Sequence, residues 1–142
     1  MDNHEFKILL IEDDADDAEL TILALKKYNR VSPILHIDDG EKALEFLYGP
    51  APDPSIILLD LKMPRVDGIQ ILRKLKSDPK KQNIPVVALI SSREGISYLE
   101  SFAVKADAYM IKPVDNKQFS AALSEIGISS VIIGPTSENN GR

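Results

Sequence analysis

The sequence predicts an α/β protein: a doubly wound, five-stranded parallel sheet with helices on both faces. Three observations lead there. Short apolar runs alternate five times with amphipathic segments of helical period. Each connection is long enough for a crossover helix, which parallel neighbours require. The apolar runs are also continuous, whereas strands with one wet face would alternate.

Residues 6–11, FKILLI, read as the first strand, and acids follow at once. From Ala15 to about Tyr28, Ala18, Ile22 and Leu25 recur at helical spacing. Residues 32–37, SPILHI, give the second strand; Asp38-Asp39-Gly40 reads as a turn, and Ala43, Leu44 and Leu47 mark a helix. Proline and glycine in residues 48–55, YGPAPDPS, break that helix before the third strand, residues 56–60. Gly68 opens a third helix with Ile69, Leu72 and Leu75, which Ser77-Asp78-Pro79 stops. Residues 84–90, IPVVALI, form the fourth strand, and Ile96, Leu99 and Phe102 mark the fourth helix. Residues 107–113, DAYMIKP, contain the fifth strand; Phe119, Leu123 and Ile126 mark the fifth helix.

A length of 142 residues favours one domain with a real core. With 44% hydrophobic and 27% charged residues, the composition is that of an ordinary globular domain. No cysteine is present, which excludes disulfides, thiolate metal sites and cysteine nucleophiles. A formal net charge of −5 argues against nucleic-acid binding, which needs a basic footprint. No apolar run approaches the roughly 18 residues of a membrane span, and MDNHEFK lacks a signal-peptide core. A cytoplasmic protein with no membrane partner is therefore expected. His4 and His36 are expected to be structural, away from the functional rim.

In doubly wound folds ligands bind beyond the carboxyl ends of the strands, where strand order reverses. The chemistry-bearing residues follow that rule. Glu12, Asp13 and Asp14 come after the first strand, Asp60 ends the third, Ser91 and Ser92 follow the fourth, and Lys112-Pro113 closes the fifth. Singly these residues mean little: an Asp after a strand is usually a turn former or cap, and an acid run usually starts a helix. Jointly they gather three carboxylates and a lysine at one rim.

Two like charges about 4 Å apart repel by roughly 4 kcal/mol at an effective dielectric near 20. A hard divalent cation relieves that repulsion, and oxygen-only ligands suit Mg²⁺ better than zinc. Three carboxylates against Mg²⁺ and Lys112 balance in formal charge, so the rim can accept an anionic group such as phosphoryl. A carboxylate oxygen can attack phosphorus to give an aspartyl phosphate, with metal and lysine stabilising the phosphoryl oxygens.

By these residues the chain resembles a bacterial response-regulator receiver domain, the CheY-like family of flavodoxin-like fold. LLIEDD (residues 9–14) matches the acidic pair, LLDLKMPRVDG (residues 58–68) the phosphoacceptor loop and YMIKP (residues 109–113) the lysine loop. Asp60 and Lys112 stand 52 residues apart, the family's usual spacing, and the likeness covers about residues 5–126, leaving residues 127–142 as an extension. The resemblance implies Asp60 as phosphoacceptor and Lys112 as the lysine that contacts the phosphoryl group. It implies Mg²⁺ held by Asp13, Asp60 and the backbone carbonyl of Lys62, with Glu12 acting through water. It further implies a cis Lys112-Pro113 peptide and Tyr109 as the aromatic that changes rotamer on activation. The opening EDDADDAEL (residues 12–20) and KPVDNKQF (residues 112–119) are closest to stand-alone receivers partnered with bacterial phytochromes.

Two departures matter. The family places Thr or Ser thirty residues after the phosphoacceptor, and here that position is Ile90. Its missing hydrogen bond to a charged group is worth about 1.5–3 kcal/mol. Phosphorylation should survive that loss while its coupling to Tyr109 weakens. Ser91 points to the opposite strand face and replaces the donor only through a bulge. The second departure is the segment after the last helix, where Val131, Ile132 and Ile133 either fold back or pack on a second copy as a homodimer interface.

The leading expectation is a phosphoacceptor signalling protein, charged by a sensor histidine kinase (a phytochrome kinase is one candidate) and acting by association. One alternative is a pseudo-receiver, a constitutive binding module whose switch Ile90 has cut. A Mg²⁺-dependent phosphatase would want an Asp two residues after Asp60, where Lys62 stands. An EF-hand loop counted from Asp13 needs Gly at its sixth position and finds Ala18.

Overall fold

The computed structural model describes residues 6–28, 32–63 and 67–128. Strands and helices alternate: β1 (Ile8–Ile11), α1 (Ala15–Tyr28), β2 (Ile34–Ile37), α2 (Gly40–Leu47), β3 (Ile56–Asp60), α3 (Gly68–Ser77), β4 (Val86–Ile90), α4 (Glu94–Glu100), β5 (Ala108–Ile111) and α5 (Asn116–Ile126). The strands make one parallel sheet in the order β2-β1-β3-β4-β5. Strand order therefore reverses between β1 and β3, and a crevice opens beyond their carboxyl ends.

β1, β3 and β4 are buried at every residue, because helices cover both faces. Leu9, Ile11, Ile57, Leu59, Val86, Ala88 and Ile90 face one way, toward α2, α3 and α4. Ile8, Leu10, Ile56, Leu58, Val87, Leu89, Ala108 and Met110 face the other, toward α1 and α5. Ile11 lies beside Leu59, and Asp60 beside Leu89, so Glu12 and Asp60 leave adjacent strands at one level. Glu12, Asp60 and Lys112 fall on the α1–α5 parity, and Ile90 falls on the α4 parity.

Several boundaries differ from the sequence pattern. β2 and β4 begin after Pro33 and Pro85, which have no N–H to complete the ladder. Their carbonyls still accept from Ile8 (3.0 Å) and Ile57 (2.9 Å). Asp38-Asp39-Gly40 is a helix start and not a turn: the Asp39 side chain accepts from Lys42 N at 3.0 Å, capping α2. α4 stops at Glu100, short of Phe102. Ala103 adopts φ 57° and its N–H returns to Glu100 O, closing the helix in left-handed backbone. His4 and the expected interface residues Val131, Ile132 and Ile133 lie outside the described residues.

Candidate functional site

Beyond the switch point a cleft of about 550 Å³ is lined by Glu12, Asp13, Asp17, Asp60, Lys62, Ile90, Ser91 and Lys112, among others. Its floor is fixed by backbone. Gly68 packs so closely beneath the rim that any side chain would collide with the Asp60 carbonyl oxygen and Leu61 Cα. Gly68 N donates to Leu61 O at 3.1 Å, and an Asp67–Gln70 capping box anchors the start of α3 behind the β3 loop.

Lys112 is the hub. Its Nζ stands 2.9 Å from Glu12 Oε1, 3.0 Å from Asp17 Oδ2 and 3.4 Å from Asp60 Oδ1. Burial disfavours its charge, but the carboxylates of Glu12, Asp17 and Asp60 outweigh that and raise its pKa. The Lys112-Pro113 peptide is cis. Asp60 is buried, and Lys62 N donates to its Oδ1 at 3.2 Å.

Glu12 is fully buried. Its pKa is pushed up to about 7, first by burial and then by its contact with Asp60, with Lys112 working against both. Glu12 Oε2 accepts from Asp14 N at 3.2 Å, whereas Oε1 has no hydrogen bond despite its ion pair. Asp13 is exposed, and its pKa is raised mainly by desolvation. One oxygen each from Glu12, Asp13 and Asp60 lies within 4.8 Å of the others. An all-oxygen donor set of three carboxylates, two of them buried, fits a hard divalent cation.

Of the residues singled out by sequence, Glu12, Asp13, Asp60, Lys62, Ile90 and Lys112 come together in the cleft. Tyr109 does not line it; it sits half-buried on the α2–α3–α4 side of β5, packed on the cluster that contains Ile90. Burial raises its phenol pKa. Pro113 lines a neighbouring depression with Asp17, Leu20, Ser91 and Lys112. Ile90 is buried, and a β-carbon on Gly95 would come within 2.8 Å of Ile90 Cβ and Cγ2.

Two residues were missed in sequence. Asp17 pairs with Lys112 because α1 covers the face on which Lys112 emerges. Its only signal was its place in the first turn of α1, three residues after Asp14, whose side chain accepts from Asp17 N at 2.9 Å. His36 is not remote from the rim, as expected of it, since its Nε2–H donates to the Glu12 carbonyl oxygen at 2.8 Å. Ser91 stands just past β4 and lines the cleft beside Lys112.

The chain is similar to known proteins. The family model for the response regulator receiver domain matches residues 8–124. Response regulator Rcp1 of Synechocystis sp. is 34% identical over 110 residues, 74% of this chain and 75% of that protein. The solved bacteriophytochrome response regulator AtBRR superposes with a TM-score of 0.83 at 37% identity, covering 89% of this chain and 96% of its own. The phosphorylated cyanobacterial phytochrome response regulator RcpA gives 0.69 at 31% identity, covering 84% and 90%. The Mn²⁺-bound form of Rcp1 gives 0.68 at 29%, covering 94% and 99%. Among the described residues no helix is long and apolar enough to cross a membrane.

Proposed function

This chain belongs to the response regulator receiver domain family, and on that premise we propose that Asp60 accepts a phosphoryl group from a sensor histidine kinase. One observation carries the reading: Lys112, Glu12 and Asp60 meet within 3.4 Å at the ends of three strands. The match to phytochrome response regulators, RcpA among them in phosphorylated form, makes a phytochrome kinase the first donor to test.

Glu12, Asp13, Asp60 and the Lys62 carbonyl would hold Mg²⁺. When bound, the cation neutralises the carboxylates and polarises the phosphoryl oxygens. An Asp60 oxygen attacks phosphorus; the O–P bond forms as the donor's P–N bond breaks, and that electron pair returns to the imidazole nitrogen. Lys112 faces the charge gathering on the phosphoryl oxygens, already oriented by its carboxylate partners. The Lys62 N–H bond holds the Asp60 carboxylate at a fixed angle. The domain proper is taken as residues 5–126, and output runs through association, with Val131, Ile132 and Ile133 as the homodimer contact.

Acetyl phosphate or kinase labelling in Mg²⁺ tests this. Label should appear on wild type and be lost in Asp60→Asn, and a chain cut after Gly127 should lose its dimer. Label that persists in Asp60→Asn overturns the assignment. A second reading rests on Ile90, whose apolar packing against Gly95 leaves no hydroxyl at that point of the cleft. On that reading the chain is a constitutive binding module, and beryllofluoride with Mg²⁺ leaves its association unchanged.

A further inference from the structure

Lys112 has more partners than phosphoryl acceptance needs. Glu12 and Asp60 belong to the three-carboxylate group that fits a cation; Asp17 does not. Asp17 nonetheless holds Lys112 Nζ at 3.0 Å in a hydrogen bond, closer than Asp60 does at 3.4 Å. It reaches the lysine from α1, and its side chain is 40% exposed while that of Lys112 is 19% exposed. Its backbone N–H is satisfied by Asp14 Oδ1 at 2.9 Å, so the helix start does not depend on the Asp17 carboxylate. With Asp17 counted, four carboxylates face one lysine and one divalent cation, and the rim keeps a net negative charge before any phosphoryl group arrives.

We infer that Asp17 is a positioning residue that tethers Lys112, so that a phosphoryl group on Asp60 must win the lysine from it. The inference rests on the reading of Asp60 as acceptor. The tether acts in opposite directions on the two ligands of the cleft. For a cation, Asp17 adds negative potential and competes with Asp60 for the ammonium. For a phosphoryl group, it adds repulsion and takes up the cation meant to neutralise it. Removing the charge therefore weakens divalent binding and strengthens binding of a phosphoryl mimic.

The test measures Mg²⁺ affinity alone, then beryllofluoride affinity at saturating Mg²⁺, for wild type, Asp17→Asn and Asp17→Ala. Both variants should bind Mg²⁺ about two- to fivefold more weakly and beryllofluoride about two- to fivefold more tightly, the range for a partly exposed ion pair. If Asp17 only held the lysine in place, Asn would match wild type and Ala would weaken both ligands; that pattern overturns the inference. Unchanged affinities, or shifts in the same direction, overturn it too. If wild type binds Mg²⁺ but no beryllofluoride, the acceptor reading itself fails and the tether falls with it.

Discussion

On the α1 side of Asp60 the cleft is made of Glu12, Asp13, Asp17 and Lys112, and Lys112 pairs with Glu12, Asp17 and Asp60 itself at 2.9 to 3.4 Å. On the α4 side Ser91, Ser92, Glu94 and Tyr98 line it too, but the point where β4 ends is apolar: Ile90, with Gly95 packed closely on its Cβ and Cγ2. The helices behind the walls differ as well. α1 runs 14 residues, buries Ala18, Thr21 and Leu25 and carries Lys26 and Lys27 at its dipole's negative end. α4 runs seven, buries Leu99 and is preceded by Arg93, which makes no side-chain cap. One wall is a network of charge; at the end of β4 the other presents an isoleucine in place of a hydroxyl. The proposal of phosphoryl acceptance rests on the first wall, and the reading as a constitutive binding module rests on the second.

The charged wall gives the largest expected effect. Folding raises the Glu12 pKa from 4.5 to about 7, so the metal-free folded protein keeps a proton that the unfolded chain has released. That contribution to stability is full below pH 4.5 and is lost as pH rises through 7; a shift of this size is worth on the order of 3 kcal/mol. Urea midpoints in chelator should accordingly fall from pH 5.5 to 8, and Glu12→Gln should flatten much of that slope. Saturating Mg²⁺, which takes the ionised form, should restore the midpoint at pH 8 by about 2.7 kcal/mol at a hundredfold excess over Kd. A metal-free slope identical in Glu12→Gln would mean that Glu12 is not the group.

The apolar wall is tested by giving it back its hydroxyl. Ile90→Thr keeps the branching and adds a donor, so beryllofluoride should bind about tenfold more tightly in Mg²⁺, the low end of a charged hydrogen bond. Association in response to the mimic should strengthen in step, while Mg²⁺ affinity alone stays put. If beryllofluoride affinity and association are both unmoved, Ile90 is a core residue with no part in the response.

Most of the fold was legible because alternating apolar runs and helical periods are local signals. The acid–lysine set was legible because strand ends carry it directly: Glu12, Asp60 and Lys112 each follow or end an apolar run. What escaped depends on packing across elements. Asp17 looked like one more acid in a helix start until α1 was laid over the face where Lys112 emerges. His36 looked remote because nothing in sequence pairs β2 with β1 in the register that brings its ring to the Glu12 carbonyl. Phe102 fitted the period of α4, but a left-handed Ala103 ended the helix first, and no glycine announced it.

The smallest effect probes how firmly the apolar wall is built. Gly95 lies within α4, where Ala is favoured over Gly by about 1 kcal/mol. Against that gain, the new methyl meets Ile90 Cβ and Cγ2 at 2.8 Å, atoms that no rotamer change at the far end of the side chain can clear. Overpacking of this kind costs about 1–3 kcal/mol, so Gly95→Ala should destabilise by about 1 kcal/mol net. Ile90→Thr offers no relief, because it keeps both atoms; Ile90→Ala removes Cγ2 and should recover part of the loss, with a coupling of about 0.5–1 kcal/mol in a double-mutant cycle. Equal or higher stability in Gly95→Ala, read from urea midpoints, would mean that α4 yields without cost. The α4 wall would then be soft, able to move with whatever binds the cleft, and the absence of a hydroxyl at Ile90 would matter less than the looseness of the helix beside it.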